Sequence, residues 1–298
     1  MRFTRKLGSC VNYNGDMMKK LDSNRIMIIL FVVMGVYFVL GQILNVPISD
    51  TMFMISVILL FLIIVVIHGW KTLGTRELLV FFLIAYSIPL LYEYTNGLGW
   101  GELVNVRCYY GDLLGPKFFG KVPYVIPLVW SISLYCTFTM TNIIFNRIRT
   151  TYKSEEMISP QWFLKIVGMG IVAGLIMASG DLIIDPVMVA MGAWSWPGGG
   201  SYYGIPLWNY EGWIEIPAVT FILYSIYLHL IKRSQIYIGG DKRSSYTLLV
   251  VVLYLAALIV YGIYAMYEKV MYAIPWATIT MGSAAVITVI QFRRSYYK

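Results

Sequence analysis

The sequence predicts an all-α protein, a polytopic membrane helical bundle of about eight transmembrane helices with both termini cytoplasmic. Three observations carry that expectation. Apolar residues make up 59% of the 298-residue chain and charged ones 13%, where a soluble domain carries roughly 25% charge. Eight stretches approach the length of about 20 apolar residues that a helix needs to cross the hydrocarbon layer. Lysine and arginine alternate between dense and sparse from one loop to the next, the bias that orients membrane helices. With a mean hydropathy of +0.70, the composition excludes a disordered chain, a nucleic-acid module and almost any water-soluble enzyme.

Residues 1–25 read as a polar, basic, cytoplasmic tail holding Arg2, Arg5, Lys6, Lys19, Lys20 and Arg25. They lack an apolar core ahead of a small-residue cleavage site, so they do not read as a signal peptide. Residues 26–298 form a single transmembrane helical domain, with spans at about 26–44, 52–68, 77–95, 122–145, 162–184, 212–231, 246–266 and 270–291. The second is short, and a tight turn (Tyr267, Glu268, Lys269) joins the last two. With the N-terminus inside, eighteen lysines and arginines fall on the inner side. Only Arg107, Lys117, Lys121 and Lys269 fall outside, and Lys165 marks the inner start of the fifth span. A seven-span chain would leave one basic terminus outside and fits worse. No internal repeat is visible, which counts against an inverted-repeat transporter.

The acids run the other way: nine of fifteen lie in outer loops or at outer helix ends. Two outer segments, about 96–121 and 185–211, are long and rich in Gly, Pro, Trp and Tyr. Long structureless segments in a compact protein tend to be functional, so the site is expected between these two. The most informative run is Ser179-Gly180-Asp181-Leu182-Ile183-Ile184-Asp185-Pro186. Its aspartates are four apart and share one face of the fifth helix. Pro186 is expected to stop that helix near Asp185. An ionisable group at membrane depth is a functional hypothesis by default; the plainer reading makes Asp185 a solvated helix end and Asp181 a hydrogen-bond partner of a neighbouring helix.

Glu93 ends the third span in Leu90-Leu91-Tyr92-Glu93-Tyr94, at the depth and on the side of Asp185; its plainer reading is an interfacial acid. Carboxyls drawn from water favour the proton-bearing form, and two held together split into one that keeps its proton and one that ionises. Such a split supplies acid and base from one residue type. Between Met191 and Trp213 stand four tryptophans and three tyrosines with no lysine or arginine. They read either as an interfacial belt or as the walls of a pocket whose aromatic faces attract cations. Lys117 is expected to snorkel to the interface or to neutralise Asp112 or a buried carboxylate. Pro123 and Pro127 are expected to kink or open the start of the fourth span. Cys10, Cys108 and Cys136 show no ligand spacing. Neither His68 nor His229 has a partner at ligand spacing, so no metal is expected. No nucleotide or hydrolase motif is present.

Several of these runs resemble the integral-membrane carotenoid biosynthesis family, which includes carotenoid 1,2-hydratases and bisanhydrobacterioruberin hydratases. They are Leu114-Gly115-Pro116-Lys117 with Val125-Ile126-Pro127-Leu128-Val129-Trp130, then Asp181-Leu182-Ile183-Ile184-Asp185-Pro186. Trp194-Ser195-Trp196 follows, with the stretch from Gly200 to Trp213. The resemblance covers about 90–215 well and the remaining spans mainly in hydropathy. It implies addition of water across the terminal isopropylidene double bond of an acyclic carotenoid or related isoprenoid, with no cofactor. Asp181, Asp185 and Glu93 are then the catalytic candidates, since a protonated carboxyl must deliver a proton to the alkene and a second carboxylate must orient or deprotonate the water. Trp194, Trp196, Tyr202, Tyr203, Asn209, Tyr110 and Lys117 are the candidates for binding substrate. One departure stands in the presumed pocket. The family's Pro-Phe-Gly and Tyr-x-Tyr pattern ahead of Gly-Pro-Lys is replaced here by Val104-Asn105-Val106-Arg107-Cys108-Tyr109-Tyr110, in which only Tyr110 fits.

Other functions remain open to the sequence. A carotenoid cyclase or isomerase would use the same protonation and quench the cation internally. A membrane prenyltransferase would need a second acidic motif and basic side chains for diphosphate, and the stretch after Asp185 has none. A transporter or lipid-binding membrane protein would need no acid chemistry. The expected setting is the cell membrane, with a hydrophobic isoprenoid or carotenoid and membrane lipid as partners and no nucleic acid.

Overall fold

The computed structural model describes residues 28–37, 41, 50–95, 108–145, 148–149, 159–231, 236–237 and 245–296. The basic tail at 1–25, part of the first span and several basic loops lie outside the described residues. The chain divides into two units, Met1–Pro47 and Ile48–Lys298. Within the first, α1 (Ile28–Tyr37) is a short apolar helix. The second contains α2 (Asp50–Leu73), α3 (Thr75–Thr95), α4 (Val125–Ile144), α5 (Pro160–Ala190), α6 (Asn209–Leu230), α7 (Leu249–Tyr267) and α8 (Ala273–Tyr296). Among the described residues six helices are long and apolar enough to cross a membrane, namely all of these except α1 and α4. The fold is an all-α multi-pass membrane bundle.

Helices α4 and α5 occupy the centre, with α2, α3, α6, α7 and α8 packed around them. Sixteen of the twenty residues of α4 are buried, which explains how it tolerates so many polar side chains. Several of those side chains turn back on their own helix: Ser131 donates to the Pro127 carbonyl at 2.7 Å, Thr139 to Tyr135 at 3.0 Å and Asn142 to Phe138 at 2.7 Å. A buried hydroxyl satisfied in this way needs no water. Pro127 lies in the first turn of α4, where a helix leaves its N–H groups without partners anyway, so the expected opening does not occur there.

Two spans run further than expected. Helix α2 extends over 24 residues rather than the short stretch 52–68. Helix α5 begins on a capped turn, with Pro160 at its first position and Ser159 Oγ accepting from the Trp162 N–H at 3.1 Å, both favoured at helix starts. It then continues for 31 residues, through Pro186 to Ala190. The expected stop at Asp185 is therefore incorrect.

Helix α5 packs most extensively on α6. Gly170 and Gly174, four apart, face that helix so closely that a Cβ on either would strike the backbone of Ala218 or Ile214. Small residues at this spacing let helix backbones touch in a membrane. Toward the other end of α2, His68 is fully buried between the Tyr135 hydroxyl (2.6 Å) and the Tyr246 carbonyl (3.0 Å), and it stacks on the Tyr246 ring. Both ring nitrogens are occupied, so this histidine ties helices together.

Candidate active site

Among the described residues the two aromatic-rich segments are not structureless. Tyr109–Tyr110 pairs antiparallel with Trp194–Ser195, and the Gly111 N–H donates to the Ala193 carbonyl at 2.8 Å. Position 111 requires glycine, because a Cβ there would collide with the Gly192 carbonyl. This small seam sets Tyr110 against Trp194, ring edge to face at 6.0 Å, above the ends of α3 and α5.

Beneath the seam lie the three carboxyls. Asp181 and Asp185 are 0% and 2% exposed, deep for side chains that are almost never fully buried without partners. Asn209, the first residue of α6, spans both: its Nδ2 donates to Asp185 Oδ2 at 2.6 Å and to Asp181 Oδ2 at 3.3 Å. Trp194 Nε1 donates to the other Asp185 oxygen at 3.1 Å. Asp181 Oδ1 is buried and meets no hydrogen-bond partner among the described residues, and the same holds for the hydroxyl of Tyr210, next to Asn209. Asp185 is thus satisfied at both oxygens and Asp181 at one.

Glu93 is half-buried, and both of its oxygens are taken. Tyr110 donates to one at 2.7 Å and the Trp130 indole to the other at 3.1 Å; the Trp130 ring stacks on Trp213 of α6 at 4.2 Å. A chain of contacts therefore runs from Glu93 through Tyr110, Trp194, Asp185 and Asn209 to Asp181. Burial together with the Glu93 charge pushes the Tyr110 phenol well above its ordinary range, so Tyr110 stays a neutral donor at any physiological pH.

Lys117 does not snorkel. Its ammonium turns back to the Tyr110 carbonyl at 2.8 Å and to exposed Asp112 at 2.9 Å. Its proximity holds the Asp112 carboxyl below the usual range. A carbonyl and a carboxylate within reach satisfy the ammonium more fully than an extended side chain at the interface. Tyr202 lies over α5 and donates to the Leu182 carbonyl at 2.7 Å. Tyr203 packs edge-on against Tyr202 at 4.9 Å, and Tyr272 influences its phenol, raised mainly by burial. Trp196 is buried with an unpartnered indole N–H, and among the described residues no hydrogen bond joins it to the carboxyls. The structure thus brings together Asp181, Asp185, Glu93, Asn209, Trp194 and Tyr110, with Tyr202 and Lys117 as supports; Trp196 and Tyr203 stand apart from the hydrogen-bonded set.

Two contributors escape sequence reasoning. Trp130 carries the second bond to Glu93, and its only signal is its place at the end of the Val125–Trp130 run. Cys108, half-buried, sits where Glu93, Asp185 and Asp181 all raise its thiol, after burial, well above the ordinary range. The thiolate is the reactive form of cysteine, so at pH 8 Cys108 is expected to alkylate slowly. Glu93→Gln removes a neighbouring charge, lowers the thiol pKa and is expected to speed alkylation about 3- to 10-fold, since one pKa unit is tenfold in thiolate. Mass spectrometry of the Cys108 peptide over time measures this, and an unchanged rate would show that the Glu93 charge does not reach the thiol.

Residues 53–284 match the family described as carotenoid biosynthesis proteins, a stretch that contains every residue of this site. The chain belongs to the carotenoid biosynthesis protein family. Over 146 residues it is 28% identical to the bisanhydrobacterioruberin hydratase of Haloarcula japonica, a match covering 46% of this chain and 43% of that protein. The chain therefore matches less than half the length of that relative. No solved structure matches it. In this carotenoid biosynthesis protein the site places two buried carboxyls beneath an aromatic seam, in a bundle that leaves many large apolar side chains exposed on its outside.

Proposed function

We propose that this carotenoid biosynthesis protein is a hydratase that adds water to the terminal isopropylidene double bond of an acyclic carotenoid or related isoprenoid. The observation that carries the reading is the pair of fully buried carboxylates four residues apart on one helix, bridged by a single amide. Two carboxyls this close do not both ionise readily. Asp185, with donors at both oxygens, is suited to remain the carboxylate. Asp181, with one oxygen that no donor reaches, is the group free to carry and deliver a proton.

The reaction then balances simply. The Asp181 proton adds to the less substituted alkene carbon, leaving a tertiary cation. The water oxygen bonds to that cation while Asp185 takes the water's proton. Proton return from Asp185 to Asp181 restores the starting state, and the net change is one water gained. Trp194, which also bonds Asp185, and Tyr110 present aromatic faces that favour the cation. Glu93, saturated by Tyr110 and Trp130, orients the Tyr110 ring and adds negative charge nearby. The lysine and arginine distribution supports a site toward the outer face of the cell membrane, with both termini in the cytoplasm.

The test is expression in cells that make an acyclic carotenoid, such as lycopene or bisanhydrobacterioruberin, followed by mass analysis of the pigments. A gain of one water per modified end is the expected result. A pigment of unchanged mass but shifted retention would replace hydration by cyclisation or isomerisation. Unchanged pigments across several substrates, with the protein verified in the membrane, would remove the reading.

A further inference from the structure

Helix α5 runs through Pro186 for another turn, although proline has no N–H for the carbonyl four residues earlier and its ring crowds that position. The carbonyl left over belongs to Leu182, in the turn between Asp181 and Asp185. A carbonyl largely shut off from water is costly without a donor, and this part-buried one is supplied from outside the helix by the Tyr202 hydroxyl at 2.7 Å. Tyr202 reaches it from a compact turn. The Ile205 N–H donates to the Tyr202 carbonyl at 2.8 Å, Ile205 is fully buried, and Tyr203 and Gly204 take positive φ angles of 53° and 80°. The Tyr202 ring is held between Tyr203 and Tyr210. Its phenol is pushed up to about 12, chiefly by burial, so it remains a donor.

We propose that Tyr202 is a positioning residue: its hydroxyl replaces the N–H that Pro186 lacks and fixes the turn that carries Asp181 and Asp185. The inference rests on the reading of that pair as the acid and base. It makes the geometry of the pair depend on a loop twenty residues away, because the two aspartates are set only when the turn around Tyr202 is docked on α5. An alanine at position 186 would close the ordinary rung from within the helix and remove the dependence.

The experiment is a double-mutant cycle between Tyr202→Phe and Pro186→Ala in the full chain, read as turnover of the acyclic carotenoid to its hydrated product and as the thermal midpoint in detergent. Tyr202→Phe alone is expected to lower kcat about 10-fold or more with KM within about 2-fold, the mark of misplaced catalytic groups. In the Pro186→Ala background the same change is expected to alter kcat by less than about 2-fold, because Leu182 then receives an N–H. The thermal midpoint should show the same coupling. Equal losses in both backgrounds overturn the inference, since the hydroxyl would then act elsewhere. Where the aspartates prove essential, thermal coupling without kcat coupling also overturns it. If Asp181→Asn and Asp185→Asn both leave turnover intact while thermal coupling is present, the acid–base reading fails instead and the substituted hydrogen bond stands.

Discussion

Asparagine in place of Asp181 is expected to lower hydration by about 10²- to 10⁴-fold, the range that a positioned acid contributes. The substitution keeps the shape of the side chain and leaves the helix unchanged, so the loss would be chemical. An alkene is a very weak base, and no other group on the path from Glu93 to Asp181 pairs full burial with an oxygen that no donor reaches. Asp185→Asn should cost a comparable factor by removing the acceptor of the water's proton. Pigment mass analysis of membranes carrying equal amounts of each variant measures both. Hydration at an undiminished rate in Asp181→Asn would sink the acid assignment outright.

The bundle was legible in the sequence because membrane helices announce themselves through length and hydropathy. The meeting of the carboxyls with the aromatic-rich segments was legible for a related reason: both stand out in a chain with 13% charge. Contacts between distant segments were not. Pro186 predicts a helix end from local geometry alone, and the donor that lets α5 pass through it sits at Tyr202, on a loop that no local rule connects to Leu182. Trp130 reads as an aromatic in the first turns of a span, and only the packing of α3 on α4 makes it a ligand of Glu93. In each case a polar atom inside a membrane bundle had to find a partner, and the partner came from another element.

That rule also explains why the site lies where two loops meet. Asp185 is shut off from solvent, so it depends on Trp194 from one loop and Asn209 from the start of α6. Glu93 depends on Tyr110 from the other loop. The seam between Tyr109–Tyr110 and Trp194–Ser195 ties the two sets of donors together, so neither loop can shift without disturbing a carboxyl. A helix-only arrangement would supply too few donors, since main-chain N–H groups inside a helix are already spent.

Leucine in place of Gly174 is expected to destabilise the protein by about 3 kcal/mol, the upper part of the range for overpacking. The added side chain would meet the backbone around Trp213 and Ile214 rather than the movable end of a side chain, so no rotamer relieves it and α6 must move. Because α6 also presents Asn209 to both aspartates and Trp213 to Trp130, the displacement should reach the site. Activity should therefore fall further than the loss of folded protein explains. Gly168→Leu is the matched comparison, since a Cβ there meets nothing within 4 Å, and it should keep the thermal midpoint of the parent protein. Equal midpoints for the two variants would show that α5 and α6 are not locked by close backbone contact, and the placement of Asn209 would then need another cause.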